Sequence, residues 1–317
     1  MIDVVTSEKD FQSVRHPISG QFESTPQYCE EQWHAKLFAE IKCSGNKAFL
    51  GKTDHYGPLR IQRPFFPEGR DCLHLYLLHP PGGLVGGDSL SISFDVKERS
   101  HCLVTTPSAG KIYRNIRGLP QVQNVGVNVH SGAKIEYFPQ ENIIYDGAEA
   151  HINTSVELKG DGVFCGWEIT CIGRYESSDP FVSGSLKQSF QVTRDGTPVF
   201  SDRLILTANS SLQSGVAGLQ GKCVAGTFLI TTDLFPIDEA LSLEQKNLQK
   251  KIVGWQTEFM QRNPDTLIAM TQKPMVWIVR ALGNRAEKIR QVFEMLWAMI
   301  RPYAMGRPVC VPRIWCT

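Results

Sequence analysis

From Trp33 to about Leu206, apolar and polar side chains alternate with a period of two, in short runs broken by glycine turns. Leu90, Ile92, Phe94 and Val96 alternate with Ser91, Ser93 and Asp95; Val125, Val127 and Val129 with Asn124, Gly126 and Asn128; Ile152, Thr154, Val156 and Leu158 with Asn153, Ser155 and Glu157. A period of two gives a strand one apolar and one polar face, whereas a helix would scatter the same residues around its circumference. Gly82-Gly83, Gly118-Leu119-Pro120, Ser131-Gly132, Gly160-Asp161-Gly162 and Asp195-Gly196 punctuate the runs, using residues that tolerate φ > 0 or pre-set a bend. Many short strands at this spacing specify an all-β body, either a sandwich or a solenoid, and periodicity does not choose between them.

The pattern changes towards the C-terminus. Leu241, Leu248, Ile252, Trp255 and Phe259 share one face at helical spacing, as do Ile289, Val292, Phe293, Leu296, Trp297, Ile300 and Tyr303. Asn284 with Glu287 three residues on reads as a capping box for the second helix, and Pro302 and Gly306 read as its stop. Strand-like segments at Gly226–Thr232 and Thr266–Leu282 flank the first helix, so the tail is predicted as β-α-β-β-α. Both aromatic faces read as core before they read as partner surface.

Hydrophobic content of 42%, charged content of 21% and 317 residues describe a chain with a sizeable core, in one large domain or two small ones. A net charge of +1 gives no electrostatic case for nucleic acid or an anionic membrane. No apolar run reaches membrane-span length, and the polar start, Met1 to Gln32, lacks a signal-peptide core, so the expected compartment is the cytoplasm. The nine cysteines are scattered without a C-x-x-C pair and are expected to be reduced, mostly as small buried hydrophobes.

The densest turn chemistry lies in His79-Pro80-Pro81-Gly82-Gly83-Leu84-Val85-Gly86-Gly87-Asp88, directly after the apolar run Leu73 to Leu78. It matches neither G-x-G-x-x-G nor a P-loop, and its closing carboxylate would repel a phosphate. Cys72 and His74 share one face of a strand while His79 points away, and two ligands do not close a zinc site. Ser108, in Thr106-Pro107-Ser108-Ala109-Gly110, has no histidine placed by sequence to activate it, so a polar turn is the simpler reading. The carboxylates are more informative. Glu168 interrupts the apolar run Val163–Ile172, and a charge there requires pairing, hydration or a metal. Asp88 ends the glycine turn and Asp202 precedes Arg203 in a strand-like segment. The plain reading of these charges is pairing with arginines such as Arg174 or Arg203.

Taken in order, Gln62-Arg63-Pro64-Phe65-Phe66-Pro67-Glu68-Gly69, the run from Cys72 to Asp88, Thr106–Arg114, Phe138-Pro139-Gln140-Glu141, Gly166-Trp167-Glu168-Ile169 and Pro312-Arg313-Ile314-Trp315 closely resemble the urease accessory protein UreD (UreH) family, from about Trp33 to Thr317. The resemblance favours the solenoid: a mainly β, β-helix-like stack of short strands in a single domain over 33–317, with a body over about 33–232 and a helix-containing region over about 233–317, after a weakly ordered extension over 1–32. It implies a non-catalytic scaffold that docks on the urease apoprotein, binds UreF directly and UreG through UreF, in a two-fold assembly organised by UreF. It implies no permanent cofactor, only Ni²⁺ in transit through a polar internal passage. The family's passage positions fall on Asp88, Glu168 and Asp202, with Ser108, Cys72 and His74 as secondary candidates. Relatives carry Asp at the position of Glu168, Glu at that of Asp202 and Ser at that of Gly110, so the middle of the passage departs from the family pattern here. A pure adaptor that never touches nickel, and a hydrolase with a site at the glycine turn, remain the rival readings. The C-terminal helices and Pro312–Trp315 are the candidate surface for UreF.

Overall fold

The computed structural model describes residues 32–236 and 240–316, so the expectation for residues 1–32 falls almost wholly outside it. The chain opens with an antiparallel pair, β1 (His34–Ser44) and β2 (Lys47–Tyr56), then a short β3 (Arg60–Ile61). Coils follow. The first is β4 (Leu73–Leu78), β5 (Gly83–Leu84) and β6 (Ser89–Val96); the second β7 (His101–Thr105), β8 (Gly110–Ile112) and β9 (Gln121–Val129); the third β10 (Lys134–Phe138), β11 (Asn142–Ile144) and β12 (Glu149–Leu158). The fourth is β13 (Val163–Arg174), the two-residue β14 (Asp179–Pro180) and β15 (Ser185–Arg194). Strands at equivalent places in successive coils pair in parallel: β4–β7–β10–β13 on one face, β6–β9–β12–β15 on another, and the short β5–β8–β11 run between them. This is the expected β-solenoid. Stacking pairs every coil's backbone with its neighbours, and it lets each coil bury the apolar phase of its own alternation.

Antiparallel strands close the stack. β16 (Thr197–Thr207) edges one sheet; after a helical turn, α1 (Ser211–Ser214), β17 (Val224–Ile230) pairs with β13 on the other. Then come α2 (Leu243–Arg262), β18 (Leu267–Lys273), β19 (Val276–Gly283) and α3 (Ala286–Ala304), the β-α-β-β-α tail. Two cores result. Inside the solenoid, Leu75, Ile92, Phe94, Val127, Ile135 and Phe164 pack between the sheets. Outside it, α2 and α3 lie on the other face of β13, β17 and β19, with Trp167, Phe228, Trp277, Phe293 and Trp297. Each such side chain contributes about 1.5–3 kcal/mol relative to exposure.

Local expectations met different fates. The capping box belongs to α2, where Ser242 accepts from the Gln245 N–H and Gln245 returns the bond; Leu241 therefore precedes the helix. Asn284 does not cap α3: its Oδ1 accepts from the Cys223 N–H at 3.4 Å, because it sits where β17 begins. Pro302 lies inside α3, which runs on to Ala304 before Gly306 takes φ +69° and ends it. Tyr303, expected on the buried face, is 45% exposed, and Arg301 is buried completely nearby.

Candidate functional site

Because inward positions follow the period of two, a polar residue in the inward phase must sit inside the solenoid. Gln123, Gln188, Thr154 and Asp202 do so on one sheet. Gln123 and Gln188 share a cross-strand row with Leu90, Ile152 and Leu204; Thr154 shares the next row with Ile92, Val125, Phe190 and Asp202. On the facing sheet, β13 turns Phe164, Glu168 and Ile172 inward while Cys165, Trp167 and Ile169 join the outer core. Glu168 then heads a row across three antiparallel strands: Glu168 opposite Thr227, and Thr227 opposite Arg280.

These rows converge on a cavity of about 300 Å³ whose walls include Glu168, Gln188, Asp202, Thr227 and Arg280. The Gln188 amide donates to Glu168 Oε2 at 2.7 Å, and Gln188 Oε1 accepts from Thr170 at 3.0 Å. Burial pushes the Glu168 carboxyl up to about 7; hydrogen bonds from Thr154 and Gln188 oppose this and the Asp202 charge adds to it. No arginine pairs with Glu168 among the described residues. Arg174 pairs with Asp179 at 2.8 Å, and Asp202 pairs with Arg280 at 3.0 Å. Arginine pairing therefore holds for Asp202 alone, and with a different arginine from those expected, because β19 brings Arg280 across the gap between the sheets.

A second cavity, of about 340 Å³, lies nearer the start of the stack, with His79, Ser108, Gln123, Tyr137, Gln140 and Asn142 in its walls. Tyr137 in its wall pairs with Gly166, two residues before Glu168, and burial and the Glu168 charge both raise its phenol. Asp88 does not line this cavity; its Oδ2 accepts from the Val85 N–H at 2.9 Å and fixes the glycine turn. Its charge still reaches His79, whose pKa burial lowers and Asp88 partly restores. Gly110 pairs directly with Asn142, and a Cβ at position 110 would collide with Asn142 Oδ1. The asparagine amide thus occupies the space that a side chain at position 110 would take. Ser108 lines the cavity with His79, but no hydrogen bond joins them among the described residues, and Ser108 sits on a β7–β8 turn rather than a strand-to-helix elbow.

Cys72 and His74 do come together, in a different place. Glu68, Cys72 and His74, and likewise Cys72, His101 and Glu136, bring their ligating atoms within 4.8 Å of one another. A guanidinium already fills the cation's place. Arg301 Nε donates to Glu136 Oε2 at 2.9 Å, Nη1 to Glu68 Oε2 at 2.8 Å, and Nη2 to Glu68 Oε1 at 2.7 Å and Glu136 Oε1 at 2.9 Å. His74 Nε2 bonds Glu68 at 2.7 Å, His101 Nε2 bonds Glu136 at 2.9 Å, and Trp297 Nε1 donates to Glu136 at 2.6 Å. Burial drives the Cys72 thiol far up, and the neighbouring Glu68 and Glu136 charges add to this, so the ligating thiolate is disfavoured. The cluster is a clamp holding α3 to the solenoid. At the same end Trp315 donates to Thr105 Oγ1 at 2.9 Å and packs against Phe138, Trp167 and Trp297, so Trp315 is a packing residue.

The family model of the UreD urease accessory protein matches residues 34–316. The chain belongs to the UreD family. It is 38% identical over 303 residues to the urease accessory protein UreD of Dechloromonas aromatica, covering 96% of this chain and 99% of the relative. It is 35% identical to that of Alcanivorax borkumensis, over 96% of this chain and all of the relative, and 37% identical to that of Saccharophagus degradans, over 90% and 94%. UreD proteins are accessory proteins by name. No described helix is long and apolar enough to cross a membrane.

Sequence reasoning selected Glu168 and Asp202 but missed Gln123, which lines the other cavity, and Thr154, Gln188 and Arg280, which complete their surroundings. For the first three the signal was available: each is polar in the inward phase of an alternating strand. Glu136 and Arg301 carried the same kind of signal, as charges in an apolar strand and on an apolar helix stripe.

Proposed function

We propose that this UreD-family chain is a maturation factor that delivers nickel to urease through the interior of its solenoid. It is not itself a catalyst and holds no resident cofactor. What carries the reading is that polar groups line two cavities of the solenoid: His79, Ser108, Gln123 and Tyr137 in one, Glu168, Gln188 and Asp202 in the other, with Thr154 hydrogen-bonded to Glu168. Asp88 adds charge beside His79. Burying unneeded polar groups is expensive, so their presence calls for a purpose.

Oxygen donors suit transit. Nickel binds nitrogen and sulfur more tightly, and a conduit must release at each step. A carboxyl poised near 7 gives up its proton when a cation arrives and recovers it when the cation leaves. In this reading the chain works in the cytoplasm, docks on the urease apoprotein and contacts UreF directly, with UreG held through UreF. The α2–α3 face is the candidate UreF surface. Cys72 and His74 stand outside the path, since Arg301 fills their site.

The test is co-expression with the urease subunits and the other accessory proteins, comparing the natural chain with Asp88→Asn, Glu168→Gln and Asp202→Asn. Assembled complex with nickel-poor urease is the expected result for Glu168→Gln and Asp202→Asn. Full metallation with both substitutions present makes the chain an adaptor and sinks the conduit.

A further inference from the structure

We infer that Arg280 is a tethered cation that competes with the passing metal ion for Asp202, keeping the Glu168–Asp202 cavity weakly binding and its outer side closed until an ion displaces the guanidinium. The inference rests on the conduit reading and assigns a residue and a regulation to it.

Arg280 is the exposed member of an otherwise buried strand: Val276 to Val279 and Ala281 are buried around it. Its register opposite Thr227, with Thr227 opposite Glu168, gives it the inward direction of the Glu168 row. β19 lies two strands beyond Glu168, so Arg280 reaches the rim and not the centre. From the facing sheet Asp202 meets the same rim, where its Oδ2 lies 3.0 Å from an Arg280 nitrogen and 3.5 Å from Thr227 Oγ1. One carboxylate is thereby shared between the metal-facing cavity and a basic side chain.

Arg280 also borders a separate cavity of about 320 Å³ with Ser201, Thr271 and Lys273. It is the wall common to both spaces, which gives the guanidinium somewhere to go. At 55% side-chain exposure it keeps much of its hydration when it leaves. An exposed pair of this kind is weak, and a divalent ion outcompetes a monovalent guanidinium for a carboxylate.

The experiment measures Ni²⁺ binding by the full-length chain, titrated calorimetrically at low ionic strength, for the natural sequence, Arg280→Met, Glu168→Gln, Asp202→Asn and the Arg280→Met/Asp202→Asn double variant. Thermal melts establish that each is folded. Arg280→Met keeps the aliphatic stem and removes the charge; it is expected to bind Ni²⁺ roughly fivefold tighter, about the strength of one exposed ion pair. The double variant should lose that gain, since the competition is for Asp202. If Glu168→Gln and Asp202→Asn weaken binding while Arg280→Met leaves it unchanged or weaker, the latch is wrong and the cavity stands. If no variant moves the affinity, the cavity does not bind nickel and the conduit reading fails with it. Raising salt should narrow the difference between natural chain and Arg280→Met; a gain that survives high salt would also overturn the ion-pair origin.

Discussion

Replacing Arg301 with methionine tests how the helical tail is held to the solenoid. The guanidinium makes four charge-assisted bonds of 2.7 to 2.9 Å to Glu68 and Glu136 and a fifth to the Pro308 carbonyl. Arg301 and Glu136 have no exposed side-chain surface and Glu68 has 8%. Adding the bonds would overstate the effect, because the ions were also solvated before folding. The dominant loss is that two buried carboxylates keep only His74, His101 and Trp297 as hydrogen-bond donors, with Arg307 3.8 Å from Glu68, a situation that costs about 3–5 kcal/mol. At roughly 2–4 °C per kcal/mol, the melting temperature should fall on the order of 10 °C. The sign with pH follows from Glu136. Burial alone would raise its carboxyl, but hydrogen bonds from His101 and Arg301 hold it down at about 2 against 4.5, so its contribution is present above 4.5 and lost as the pH falls towards 2. The variant should therefore lose most at neutral pH and approach the natural chain in acid. Urea unfolding followed by tryptophan fluorescence reads this, since Trp297 touches the cluster. The triple variant Glu68→Gln/Glu136→Gln/Arg301→Met removes the stranded charges and should regain more than half of the loss. A single variant within 1 kcal/mol of the natural chain at neutral pH, a threshold set by the weakness of exposed pairs, refutes the clamp; a triple variant as unstable as the single one would shift the cause from charge to packing.

Two further outcomes are expected. Glu168 is raised from 4.5 to about 7, so the folded chain binds its proton more tightly than the unfolded chain, and its burial costs stability as pH rises between those values. Glu168→Gln should melt alike at pH 4.5 and gain at pH 8, with a ceiling of about 3 kcal/mol at ~1.4 kcal/mol per pH unit; parallel melting curves across that range would show that the carboxyl is not buried as described. Gly110→Ser should destabilise by about 1–3 kcal/mol because its Cβ displaces the Asn142 amide, and pairing it with Asn142→Ala should recover most of this, as read by denaturant unfolding; equal instability of single and double variants would mean that another neighbour is displaced.

What the sequence determined by itself was everything governed by local periodicity. Alternation at Leu90–Val96, Val125–Val129 and Ile152–Leu158 marked which residues face the core, because a strand's side chains have only two directions to choose from. Helical stripes gave α2 and α3 for the same reason, and long family-specific runs such as His79–Asp88 pointed to UreD. Local rules failed where a side chain had a better partner far along the chain: Asn284 left its helix for the Cys223 backbone, and Arg301 broke the α3 stripe to meet Glu68 and Glu136. Tertiary structure alone decided that Cys72 and His74 lie beside a buried Arg301–Glu68–Glu136 cluster, that Glu168 and Asp202 share one cavity, and that Arg280 pairs with Asp202. Those pairings depend on how coils stack and how two sheets face each other. The contacts that set them reach as far as 233 positions along the chain, over which local periodicity carries no information.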